Sequence, residues 1–275
     1  MARMTRRAAA FLLTGALLTA CSGTSDDKTS TSTTAAPSGA QSIKIGVATD
    51  QPGVSLKDGS NYSGFDITTA NYVAGKLGMT PEFVPVNQGD RVSAIESGEV
   101  DMVVATLTIT DERKQKIAFS DPYFTAHQDL MVRRNDTTIT GPETLHKKVL
   151  CSVPGTTSAD YVERNFKAEI TLREAPTFSE CVRSLAAGDV DAVTTDDLIL
   201  AGFASQDQYK GKLRVLGAGF TDENYGIGMK SGDQAMVDKV NAALKEYADS
   251  SERKDALDAL AASGYQVRDP AVIDK

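Results

Sequence analysis

From Ile43 onward the chain alternates short β-branched runs with stretches whose apolar residues recur every three or four positions. Residues 43–47 read as a strand. Residues 66–77 read as a helix with Ile67, Ala70, Val73, Ala74 and Leu77 on one face. A strand at 82–86 and a short helix at 91–96 follow. Residues 101–107 predict a strand whose near-continuous apolarity suits a position covered on both faces, as in a parallel sheet. The rhythm then repeats, with strands at 149–153, 170–172 and 192–194 alternating with helices at 158–166, 178–187 and 198–204. This βαβ alternation predicts an α/β fold. Extended segments at 128–132 and 225–229 separate the blocks. With both crossing between blocks, residues 43–128 and 230–275 form one lobe and 134–222 the other. The expected body is two-lobed, with a double-strand hinge at about 128–134 and 223–230 and a ligand cleft between the lobes.

Open α/β sheets bind ligands beyond the carboxyl ends of their strands, which directs attention to the residues after Leu107, Val153 and Thr194. Thr110 is placed to cap a helix whose first turn carries Asp111 and Glu112. Arg113 in that turn opposes the helix dipole. Its planar fork of donors suits a carboxylate, with pairing to an acid such as Asp121 as the alternative. Pro154-Gly155-Thr156-Thr157-Ser158 is a small-residue turn opening a helix, either an anion site or a plain capped start. Of Asp196 and Asp197, one is free to cap the next helix and the other to face the cleft, where it would suit an α-ammonium group. A guanidinium, an anion turn and a carboxylate together complement a zwitterion.

The first 42 residues follow a different pattern. Residues 1–20 start with Arg3, Arg6 and Arg7, continue through a small and apolar stretch, and end Leu18-Thr19-Ala20 before Cys21. That apolar core is too short for a stable membrane span and fits an export signal. Leu18-Thr19-Ala20-Cys21 resembles a bacterial lipobox, which makes Cys21 the expected lipid-bearing residue; a plain secretory signal with a chance cysteine is the alternative. Residues 21–42 are dominated by Ser, Thr, Ala and Gly and predict a flexible, lipid-anchored tether. The expected location is the outer face of the plasma membrane, held by the lipid alone. Export makes Cys151 and Cys181 candidates for a disulfide, the alternative being two buried free thiols.

Composition narrows the function classes. The chain is 41% hydrophobic and 24% charged, as globular proteins are, and its formal charge of −8 argues against nucleic acid. Two His, three Cys and no Trp argue against a His-rich metal centre. There is no nucleophile elbow, metal-ligand spacing or Gly-rich phosphate loop, so neither a cofactor nor an enzyme is expected.

Several blocks in order resemble the family 3 extracellular solute-binding proteins, the polar amino-acid receptors of ABC importers. They are Gly64-Phe65-Asp66-Ile67, Ser97-Gly98-Glu99-Val100-Asp101, Thr108 to Lys114, and Phe119-Ser120-Asp121-Pro122-Tyr123-Phe124. Asp50-Gln51-Pro52-Gly53, Gln128-Asp129-Leu130, Cys151-Ser152-Val153 and Thr194-Thr195-Asp196-Asp197 resemble the glutamate-binding lipoprotein branch. The resemblance implies a type II periplasmic-binding-protein-like fold, L-glutamate as ligand and a membrane permease as partner. It also implies that Arg113 clamps the α-carboxylate with Thr108 and the backbone N–H of Thr157, next to Thr156 in the anion turn. Asp196 and the Thr106 carbonyl would take the α-ammonium group, and Arg91 the distal carboxylate. The alternative for Arg91 is a solvated residue pairing with Glu96 or Asp90. Ala48 or Thr49 stands where some dicarboxylate-binding relatives place a lysine, one fewer cation for the side chain, which leaves glutamine as an alternative ligand; aspartate is a further alternative within the family. Two further readings use the same fold: a ligand-sensing partner of a signalling receptor, and a dehydratase.

Overall fold

The computed structural model describes residues 41–166, 169–262 and 264–266. The leader at 1–20, the lipid site at Cys21 and nearly all of the 21–42 tether lie outside the described residues. Among the described residues no helix is long and apolar enough to cross a membrane.

The chain opens with β1 (Ser42–Val47), a small meander of β2 (Asp50–Gln51), β3 (Ser55–Asp58) and β4 (Asn61–Ser63), then α1 (Phe65–Lys76). Gly64 is required at the start of α1. Its φ is +116°, and a Cβ there would lie 2.4 Å from the Val54 carbonyl oxygen. Next come β5 (Thr80–Pro85), α2 (Arg91–Ser97), β6 (Met102–Val103), α3 (Asp111–Lys114) and β7 (Ala118–Phe119). After β8 (Phe124–Ala126), the second run is β9 (Gln128–Arg133), β10 (Val149–Ser152), α4 (Thr157–Phe166), β11 (Thr171–Glu174), α5 (Phe178–Ala187), β12 (Ala192–Asp196) and α6 (Asp197–Ser205). The chain ends with β13 (Leu213–Val215), β14 (Glu223–Tyr225), β15 (Gly228–Met229), α7 (Gln234–Ala248) and α8 (Ser251–Ala262).

These elements form an α/β fold around two five-stranded sheets, ordered β5-β1-β6-β15-β7 and β11-β10-β12-β9-β13. The sheets share a plan: three parallel strands, then two reached by antiparallel pairing. The chain passes between them through β8 and β14, which pair with each other, Glu223 opposite Ala126 and Tyr225 opposite Phe124. A main apolar cluster runs from Phe65 and Ile67 on α1 through Phe124 and Tyr225 at this crossing to Phe178 and Leu198. Phe65, Tyr123 and Phe124 are therefore core, their rings in a contiguous cluster with Tyr225.

Local chemistry explains the helix ends. The Thr110 hydroxyl accepts the Arg113 N–H and starts α3, and the Thr177 hydroxyl accepts the Glu180 N–H and starts α5. α5 stops at Gly188, whose φ of +90° closes the last turn. Cys151 on β10 and Cys181 on α5 are joined by a disulfide that ties this helix to its sheet.

One strand differs from the sequence reading. Only Met102–Val103 of the apolar run 101–107 joins the ladder. Thr106 turns the chain out of the sheet at a φ of +47°, an unfavourable setting for a β-branched residue. The turn is stabilised by the Thr106 N–H donating to the buried Asp66 carboxylate at 2.7 Å.

Candidate functional site

The strand-end residues converge between the two sheets. Arg91 begins α2, Thr106 and Thr108 follow β6, and Arg113 lies in α3. Thr157 begins α4 in the second run and Asp196 ends β12. A cleft of about 710 Å³ is lined on one side by Arg91, Leu107 and Arg113 and on the other by Gly155, Thr157 and Tyr161.

Two guanidiniums dominate its floor. Arg91 is buried, and its Nε donates to the Gln88 carbonyl at 2.8 Å. Its Nη1 reaches the carbonyls of Ala105 and Thr106, each at 2.9 Å, and its Nη2 that of Gly155 at 3.2 Å. Four of the five N–H groups of a guanidinium are thus used, which leaves one. Arg113 donates from Nη1 to the Thr108 carbonyl at 2.8 Å and from Nη2 to the Gly155 carbonyl at 3.1 Å, which leaves three. Among the described residues neither guanidinium lies within ion-pair distance of a carboxylate. Burial, with the Arg113 charge adding to it, brings Arg91 down to about 9, still protonated at neutral pH.

The acid of the site is Asp196. Its Oδ2 accepts the Tyr225 hydroxyl, while its buried Oδ1 has no hydrogen-bond partner among the described residues. Burial raises the carboxyl to about 8, and the neighbouring Glu223 and Asp197 add to that, against the Tyr225 hydroxyl and Arg91. Asp197 instead serves the backbone, its Oδ1 accepting the N–H groups of His127 and Leu198. The two adjacent acids have separate jobs.

The threonines also divide. Thr108 and Thr157 both donate their hydroxyls to Glu223, at 2.7 and 2.8 Å. The Thr156 hydroxyl stays within its own turn, donating to the Val153 carbonyl and accepting the Ala159 N–H. The Thr106 carbonyl accepts Arg91, and its hydroxyl meets the Gln51 amide at 3.1 Å.

Sequence reasoning missed the residues that hold these in place. Asp66, raised to about 6 by burial, is the anchor under the Thr106 turn and also accepts the Tyr123 hydroxyl at 2.8 Å. Tyr225 fixes Asp196, and Glu223 gathers the threonines. An acid at the first turn of α1 is ordinary in a sequence, so Asp66 passed unremarked, and the long-range partners of Tyr225 and Glu223 left no local signal.

A two-lobed α/β body with cations, a buried acid with one unpaired oxygen and a cleft between its sheets is the build of a solute-binding protein. Residues 43–259 match the bacterial extracellular solute-binding proteins, family 3, and the chain belongs to that family. Among its relatives is the glutamate-binding protein GluB of Corynebacterium glutamicum, 40% identical over 76% of this chain and 75% of that one. The ABC transporter glutamine-binding protein GlnH of Bacillus subtilis is 36% identical over 84% of this chain and 86% of that one. The structure of an ancestral arginine-binding protein bound to arginine is similar with a TM-score of 0.75, at 32% identity, over 79% of this chain and 96% of that one.

Proposed function

We propose that this protein is the extracytoplasmic receptor of an ABC importer, that it captures L-glutamate between its lobes, and that it is tethered by a lipid on Cys21. The observation that carries this reading is a buried guanidinium, Arg91, and a half-buried one, Arg113, with no carboxylate partner among the described residues, beside an acid with an unpaired oxygen. Buried charge needs a partner, and a dicarboxylate amino acid supplies both signs.

In this reading Arg113, with three free N–H groups, grips the α-carboxylate in bidentate fashion. Asp196 and the Thr106 carbonyl take the α-ammonium group. Arg91 gives its remaining N–H and its field to the distal carboxylate. The hinge is the β8–β14 pair: β14 falls within the expected 223–230 segment, while β8 at 124–126 precedes the expected 128–134 segment, most of which β9 takes into the second sheet. Ligand favours the closed arrangement by bridging the lobes, and the closed protein delivers it to a membrane permease. No catalytic step is assigned: the polar groups suffice for binding.

One observation favours glutamine as the second reading. Arg91 spends most of its donors on backbone carbonyls, and a single N–H suits an amide oxygen as well as a carboxylate. Arg91→Gln separates the two. It should weaken glutamate binding about a hundredfold and glutamine binding by less than tenfold, because a buried carboxylate left without a cation costs about 3 kcal/mol. Equal losses would remove Arg91 from side-chain recognition.

A further inference from the structure

Glu223 is a buried carboxylate at the crossing between the lobes, 4% exposed, with four side-chain donors. Oε1 accepts the Gln128 amide at 2.7 Å and the Thr221 hydroxyl at 2.9 Å. Oε2 accepts the hydroxyls of Thr108 at 2.7 Å and Thr157 at 2.8 Å. Thr108 follows the first sheet's β6, and Thr157 opens α4 beside the second sheet, so one oxygen joins the two sides of the cleft. Arg113 lies in the field of the same carboxylate.

A hydroxyl has one proton to donate. In this arrangement Thr108 and Thr157 have both spent theirs on Glu223, although the family resemblance aims Thr108, with Arg113 and the Thr157 N–H, at the ligand's α-carboxylate. Glu223 presents the same chemical group to the Thr108 and Thr157 hydroxyls. We propose that Glu223 is a built-in carboxylate that straps Thr108 to Thr157 and yields their hydroxyl protons to the incoming ligand carboxylate, so that it sets the affinity of the site. This rests on the receptor reading. Gln128 and Thr221 make the exchange workable, because they keep Oε1 bonded while Oε2 changes partners.

Glu223→Gln isolates the effect. An amide nitrogen in place of Oε2 donates to the two hydroxyls instead of accepting from them. Their protons are then free for ligand, and the amide oxygen still accepts from Gln128 and Thr221. Glutamate titrated calorimetrically into this variant should bind about tenfold more tightly than to the wild type, since charge-assisted hydrogen bonds no longer have to be surrendered. Loss of the Glu223 charge also relieves Asp196, so the midpoint of the pH dependence of binding should move to lower pH. A fold-support role alone would weaken glutamate binding by this variant rather than tighten it. Glu223→Ala removes the strap, and small-angle scattering without ligand should show a larger radius of gyration than the wild type. Weaker or unchanged glutamate binding by Glu223→Gln overturns the exchange, and an unchanged radius for Glu223→Ala overturns the strap. A wild type that binds none of glutamate, glutamine and aspartate refutes the receptor reading and the exchange with it, while the scattering result still judges the strap.

Discussion

Removing Arg113 separates binding from folding. Its guanidinium makes two hydrogen bonds to neutral carbonyls and, among the described residues, no ion pair. For the ligand-free protein, Arg113→Ala loses those two bonds, about 1 kcal/mol each, and regains the cost of burying a cation. The two effects oppose, so the melting temperature should stay within a few degrees of wild type. For the complex, the variant leaves the ligand carboxylate in the cleft without its bidentate partner. Truncating one side of a buried charge pair costs about 3–5 kcal/mol, which is two to nearly four decades in Kd. Isothermal titration with L-glutamate and scanning calorimetry of the ligand-free protein measure the two sides. The reasoning fails if the variant binds within tenfold of wild type, or if its ligand-free fold melts at least about 8 °C lower.

Binding should also depend on pH through Asp196. Its carboxyl is raised to about 8, so at neutral pH it carries a proton that must leave before it can pair with an ammonium group. Affinity should therefore rise about tenfold per pH unit below 8 and level off above it, with close to one proton released per ligand at pH 7; titration in buffers of different ionisation heat counts that proton, and finding none contradicts the assignment. Gly155→Ala should block closure. At a φ of +77° a Cβ there would lie 2.4 Å from the Gly89 Cα, a backbone atom that cannot swing aside. A loss of glutamate affinity of at least about tenfold is expected, with the melting temperature lowered by a few degrees through the left-handed backbone strain, whereas wild-type binding would show that Gly89 and Gly155 separate in the complex. Cys151 and Cys181 close a loop of sequence separation 30, worth about 3–4 kcal/mol. Thiol titration of the denatured, non-reduced body from Ser42 should find no free thiol, and replacing both cysteines by alanine should lower melting by roughly 10 °C.

Where local chemistry decides, the sequence was a good guide. α5 forms over Phe178–Ala187 because its apolar spacing, Thr177 cap and Gly188 stop all agree. α3 follows Thr110 for the same reason. The arginine at its first turn stood out because it opposed the helix dipole, and it does line the cleft. The apolar run 101–107 misled because burial on both faces looks the same in a strand and in a strained turn. What separates them is Asp66, which accepts the Thr106 N–H from 40 residues away. Glu223 was hidden for the same reason, its Thr108 partner lying 115 residues earlier. Asp196 was singled out because it ends a strand, Arg113 because it opens a helix soon after one, and Arg91 only through the family resemblance; the groups that hold them depend on tertiary pairings that no local pattern encodes.

The most direct test of the account is isothermal titration of the wild-type body, from about Ser42, with L-glutamate, L-glutamine and L-aspartate. Saturable one-to-one binding led by glutamate, with a proton released at pH 7, is the predicted result. Absence of binding by all three would contradict the proposed receptor function.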